Sequence, residues 1–300
     1  MTSLINKLSK NKSLSQFPFP DNFIHKLCKT NHTQIFNKLW DVHFLRHNPE
    51  IFHAKLIPLN KVFPKIPSYT NMRPIVATCS LFKLFELRFN EKLMNAFQQL
   101  PPLSHAQVGF LKGMSTQVNI NSLLKFTTKH YTLYHTKYLK LFAASRQMNH
   151  DLQTFLLFID YEQAYNSVGM DKLKSRLESL SSLSKNEIDL LFWGYSQLKI
   201  QLGSEEFTPH HGVPQGGINS PILFDFALYF MMEDLVKYLK QNKEKHSDVN
   251  KQKINITEEN SFLFADDTVF ALHLRGTFFV IKETLKTFYH SLNQVGLTWA

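Results

Sequence analysis

Cysteine is nearly absent. Cys28 and Cys79 are the only two in 300 residues, which excludes a disulfide framework and leaves two free thiols. His25-x2-Cys28-x3-His32 has ligand-like spacing but no clear fourth ligand, so no zinc site is assigned there. Long apolar runs are missing as well. The best of them, Pro221 to Met232, is too short to span a bilayer and contains Asp225, so no membrane role is expected. There is no internal repeat and no signal-peptide pattern. Acidic residues are few beside basic ones, 24 against 34, leaving a net charge of +10. Residues 1–20 carry Lys7, Lys10 and Lys12 with neither an acid nor an Arg, the pattern of a mobile tail rather than a transit peptide.

The basic surplus favours a polyanionic partner, nucleic acid above all. Apolar residues are plentiful: 43% of the chain, with 27 Phe. That suffices for a substantial core in one large domain or two small ones and excludes disorder throughout.

Along the chain, Asp21 to about His47 shows partial helical spacing. Lys55 to Leu59 reads as a strand, and Pro74 to about Phe97 as a short strand running into a helix. Lys129–Gln153 and Gln241–Asn260 read as polar surface insertions. Thr154–Ile159 is a β-prone run closed by Asp160, and Met170–Leu180 reads as a helix. Ser220-Pro221 is a helix start, with Ser as N-cap and Pro at the first position, for a helix reaching about Lys240. Ile281, Leu285, Phe288, Leu292 and Val295 mark an amphipathic helix with Gly296 as its C-cap, and a strand is expected from Leu297.

Phe264-Ala-Asp-Asp267 lies inside an apolar run from Ser261 to Leu274. Two adjacent acids between short hydrophobic strands predict a hairpin with carboxylates at its tip. An Asp-Asp pair alone is an ordinary turn. With Asp160 at the end of another strand, three carboxylates are available for two-metal phosphoryl transfer. The βαββαβ-type order places the Asp160 strand beside the hairpin in one antiparallel sheet.

Five blocks carry a wider pattern: Leu56-Ile-Pro-Leu-Asn-Lys61 with Met72-Arg-Pro-Ile75; Gln107-Val-Gly-Phe110 with Gly113-x-Ser115-Thr116; Asp160-Tyr-Glu-Gln-Ala-Tyr165; Gly212-Val-Pro-Gln-Gly216 with Ser220-Pro221; and Phe264-Ala-Asp-Asp267. In this order they resemble a reverse transcriptase of the non-LTR retrotransposon type, from about Lys55 onward. The resemblance implies an α+β fold, the fingers and palm of a right-hand polymerase, with an antiparallel palm sheet packed on helices. It implies an N-terminal extension (1–54), fingers with an insertion (55–153) and a palm (154–300) ending before the thumb.

The resemblance also implies residue roles. Asp160, Asp266 and Asp267 would be catalytic and hold two Mg2+ ions, with Mn2+ as a substitute. Lys61 and Arg73 would hold the triphosphate. Tyr165 would exclude a ribose 2′-hydroxyl, and Gln215 and Gly216 would lie against the incoming nucleotide. Gln107, Gly109, Phe110 and Ser115 would meet the template. The partners implied are an RNA template, a nucleic-acid primer and dNTPs. The compartment stays open between nucleus, cytoplasm and mitochondrion. Two rivals remain: an RNA-dependent RNA polymerase, disfavoured by Tyr165 and Ala265, and a nucleic-acid-binding protein that has lost catalysis.

Overall fold

The computed structural model describes residues 41–68, 71–141, 153–241, 252 and 254–299. His25, Cys28 and His32, and most of the helix expected from Asp21, lie outside them. That helix is described only as α1 (Val42–His47), whose start is capped by the Asp41 carboxylate accepting from the His43 N–H at 2.9 Å. The chain forms two compact units. One takes the described residues up to Phe97 together with Tyr165–Phe224, and the other takes Gln98–Ala164 and the described residues from Asp225 onward.

In the first unit, β1 (His53–Asn60) and β2 (Met72–Thr78) pair antiparallel, with Leu56 opposite Val76 and Ile57 opposite Ile75. Such apolar cross-strand pairs stabilise a ladder. β1 also pairs in parallel with β4 (Lys199–Leu202), which turns back as β5 (Glu205–Phe207), giving the order β2-β1-β4-β5. α2 (Ser80–Gln98) buries Phe82, Phe85, Phe89 and Leu93 at three- and four-residue steps, the stripe of a helix with one face in a core. Phe82 and Phe85 stack at 5.6 Å between ring centroids, and Phe52 meets both edge-on. Each fully buried Phe contributes roughly 2–3 kcal/mol. Two further helices complete the unit: α4 (Met170–Glu178), close to the expected Met170–Leu180, and α5 (Lys185–Ser196).

In the second unit, β3 (Gln153–Ile159), β6 (Ser261–Phe264) and β7 (Asp267–Leu274) form an antiparallel sheet in the order β3-β7-β6. One face packs on α7 (Phe278–Leu297), where Phe270 meets Phe288 edge-on at 5.3 Å. The antiparallel sheet packed on helices agrees with the expected α+β class.

Four expectations are corrected. α3 (Thr116–Leu141) runs into the segment read as a surface insertion from Lys129. No Gly or Pro stands between Gly113 and Gly169 to interrupt it. Gly296 lies inside α7, and the C-cap is Thr298. The described residues from Leu297 form no strand. Instead the last turn closes through the Trp299 N–H to the Gly296 carbonyl at 2.8 Å. The Trp299 indole stacks on Phe230 and donates to Asp234 at 3.0 Å, so burial against α6 (Ser220–Gln241) decides the conformation. α6 itself begins at Ser220, whose hydroxyl donates to the Pro214 carbonyl rather than capping the helix.

Asp225 on α6 is fully buried, and neither carboxylate oxygen has a hydrogen-bond partner among the described residues. Burial pushes its pKa well above the usual carboxylate range. A raised folded pKa means that the folded chain keeps a proton the unfolded chain sheds from about pH 4 upward. Stability therefore falls as pH rises from there through the folded value. Asp225→Asn is expected to remove this slope. The Tm advantage of the variant over wild type should grow between pH 5 and pH 8, and a constant difference would contradict it.

Candidate active site

The second unit brings the three acids to one end of its sheet. The β6–β7 hairpin closes through two residues, Ala265 and Asp266, with Phe264 paired to Asp267. Ala265 takes φ +56°, and Asp266 keeps a negative φ, as a type II′ turn requires. Asp266 is thus the second tip residue and Asp267 the first of β7. The β3–β7 ladder ends at Ile159 opposite Thr268. Asp160 follows directly on β3, and the same register carried one step past the ladder would set it opposite Asp267 on the same sheet face.

That face is open around the acids. It also carries Phe158, 71% exposed, and Leu156, 40% exposed. At the far end Phe126 of α3 covers it, stacked on the His273 ring at 4.4 Å. All three acids are exposed, and none has a hydrogen-bond or ion-pair partner among the described residues. Tyr161, next to Asp160, turns the other way. Its hydroxyl is buried near Thr268, and burial pushes the phenol up to about 12. As donors the three acids fit a hard cation such as Mg2+, which takes oxygen ligands and keeps waters. Among the described residues, no three acidic, His or Cys groups are already drawn together as a closed metal cluster.

The first unit carries the expected nucleotide-binding residues. Lys61 follows β1, and its N–H donates to the Asn71 carbonyl at 3.0 Å. Leu59 pairs with Arg73, so Lys61 and Arg73 project from the same face as a diagonal pair. Both are exposed. Tyr165 stacks flat on Phe224, 4.7 Å apart with an 8° angle between rings.

The loop Gly212–Asn219 is tied down at several points. The Val213 N–H donates to the Tyr165 carbonyl at 2.9 Å, and the Val76 N–H to the Gln215 carbonyl at 2.6 Å. Gly216 has φ +110°, and a Cβ there would stand 2.7 Å from the Val76 carbonyl oxygen, so only glycine fits.

Glu86 of α2 holds this loop from beneath. It is fully buried and accepts from the Ile218 N–H at 3.0 Å and the Tyr195 hydroxyl at 2.6 Å; the Asn219 N–H lies at 3.4 Å. The Asn219 amide in turn donates to the Glu86 carbonyl at 2.9 Å. Burial raises the Glu86 pKa, and the donors from Tyr195, Ile218 and Asn219 pull it back. The sequence signal for this role is an acid on the Phe82–Phe85–Phe89 face of a helix, where a carboxylate needs partners.

Of the expected template residues, Phe110 and Ser115 are exposed, whereas Gln107 and Gly109 are buried. The Gln107 amide is turned inward onto the hairpin.

A family model described as reverse transcriptase (RNA-dependent DNA polymerase) matches residues 63–300. No curated protein gives a match. Among solved structures, apo telomerase from Candida tropicalis is similar in fold, with a TM-score of 0.50 at 13% identity over 88% of this chain and 48% of that one. Telomerase from Candida albicans, in complex with a TWJ fragment of telomeric RNA, gives a TM-score of 0.48 at 13% identity over 81% and 40%. The chain thus spans less than half the length of either structure.

Proposed function

The chain belongs to the reverse transcriptase family, and from that premise we propose that it extends a primer with deoxynucleotides along an RNA template, as the fingers and palm of a non-LTR retroelement polymerase. The observation that carries this reading is the set of three exposed carboxylates with no ion-pair partner among the described residues: Asp160 directly after β3, Asp267 at the start of the neighbouring β7, and Asp266 at the adjoining tip. They are the residues that would hold two Mg2+ ions, or Mn2+ in their place. Such ions, when bound, neutralise the triphosphate and favour ionisation of the attacking hydroxyl.

In the other unit, Lys61 and Arg73 present cations to the triphosphate, where negative charge builds during transfer. The Gln215–Gly216 backbone, fixed against Val76, offers the nucleotide a surface without a side chain at Gly216. Phe110 supplies a ring for a template base to stack on, and Ser115 a hydroxyl for a phosphate. Gln107 and Gly109 shape the segment that carries them. The test is primer extension on an RNA template with dNTPs and Mg2+. Templated DNA synthesis is expected, with RNA binding that weakens as salt rises. RNA binding without synthesis would overturn the reading in favour of a non-catalytic binding protein.

Tyr165 is the residue that selects the sugar. Its ring is held flat against Phe224 and cannot swing aside without losing that stack. Tyr165→Ala is expected to raise ribonucleotide incorporation relative to deoxynucleotide by about 10- to 100-fold, the range of small-group steric discrimination. Competition assays with paired rNTP and dNTP would measure it, and unchanged selectivity would remove Tyr165 from the role.

A further inference from the structure

Gln107 is 3% exposed, and its amide makes three hydrogen bonds, two of them to the hairpin turn. Its Oε1 accepts from the Ala265 N–H at 3.1 Å and the Gly109 N–H at 2.7 Å, and its Nε2 donates to the Ala265 carbonyl at 3.1 Å. The segment around it lies alongside β6. Gln107 bridges to Leu263 in parallel, and the Val108 N–H donates to the Leu263 carbonyl at 3.0 Å. At Gly109 a Cβ would stand 2.4 Å from the Ala265 nitrogen, so the two backbones touch. Ala265, at φ +56°, occupies a sparsely populated conformation that costs a non-glycine residue roughly 1–3 kcal/mol.

We propose that Gln107 is a positioning residue for the carboxylate turn: its side-chain amide fixes both backbone polar groups of Ala265 and so sets where Asp266 and Asp267 point. A primary amide is suited to this. It offers an acceptor and a donor side by side in one plane, matching the N–H and C=O of a single residue, and adds no charge beside the acids. A two-residue turn has few constraints of its own, and rotation of the Ala265–Asp266 peptide would swing the Asp266 carboxylate away. The inference rests on the reading of Asp266 and Asp267 as metal-binding groups.

The test compares wild type, Asp266→Asn, Gln107→Ala and Gln107→Met in the full chain. Mn2+ binding is read by electron paramagnetic resonance, hairpin opening by hydrogen exchange, and RNA binding by filter retention. Loss of the amide is expected to weaken Mn2+ binding by about 10–100-fold, the usual effect of removing a group that orients a ligand. Exchange across 263–267 should accelerate, and RNA affinity should stay within about twofold. A template-contact role would give the reverse pattern, weaker RNA binding with Mn2+ affinity unchanged, and would overturn the proposal. Gln107→Met keeps the side-chain volume without the hydrogen bonds and serves where the Ala variant fails to fold. If wild type binds Mn2+ no better than Asp266→Asn, the metal-site reading fails and the inference with it. If wild type exceeds Asp266→Asn and the Gln107 variants equal wild type, the positioning role alone falls.

Discussion

Asp266→Asn is expected to lower primer extension by on the order of 10³-fold or more, the scale of losing a principal charge-stabilising group. The substitution keeps the shape of the side chain and removes its charge. Asp266 sits exposed at a hairpin tip without a side-chain partner among the described residues, and the hairpin's pairing does not use its carboxylate. Thermal stability should stay within about 0.5 kcal/mol of wild type, as for other surface positions. The RNA binding proposed above, for which the net charge of +10 argues, should persist with the same salt dependence. Asp160→Asn should behave alike, because Asp160 lies at the same sheet end. Extension assays beside melting and RNA-binding curves separate the effects. Activity retained within about tenfold would remove Asp266 from the catalytic set. Activity lost together with a cooperative melt would point to misfolding instead.

The second large effect is expected at Glu86, far in sequence from the loop it holds. Glu86→Ala strips the acceptor from the Tyr195 hydroxyl and from the Ile218 N–H, with Asn219 close by. It also opens a cavity beneath the 212–219 loop. Each orphaned buried group costs about 1–3 kcal/mol, so a total on the order of 4 kcal/mol is expected. That is a large share of the stability of an ordinary domain. Glu86→Gln should cost far less, about 1 kcal/mol. Its oxygen can accept from Ile218 while its amide donates to a rotated Tyr195 hydroxyl. Denaturant unfolding of the two variants measures both quantities. Equal losses from Ala and Gln would mean that charge, not hydrogen bonding, is what the loop requires.

The local elements were legible where a short-range pattern decides them. The β6–β7 hairpin follows from short apolar runs on either side of an Asp pair. β3 follows from Thr154–Ile159, and α2 from its aromatic periodicity. What escaped depends on contacts distant in sequence. Gly296 has the look of a helix terminator, yet the docking of Trp299 on α6 carries the helix past it. Tyr- and Lys-rich residues after Lys129 read as a polar insertion, but nothing in them breaks a helix. The Gly203-Ser204 turn between β4 and β5, and the helix α5 before it, gave no motif to notice. At the candidate site, Asp160, Asp266 and Asp267 stand out in the sequence as acids closing apolar runs, and the structure sets all three at one end of one sheet. Gln107 does not, because its burial depends on a hairpin more than 150 residues away in the chain.

Among the described residues, two buried or half-buried indoles lie in different units: Trp193 meets Phe52 edge-on at 5.4 Å in the first, and Trp299 stacks on Phe230 in the second. Each is therefore a private optical reporter. In a Trp40→Phe background, Trp193→Phe leaves emission only from the second unit, and Trp299→Phe only from the first. Overlaid denaturation curves would show whether the halves melt as one cooperative block or in succession. The chain thus carries the fluorophores needed to measure the coupling between its own halves without an added label.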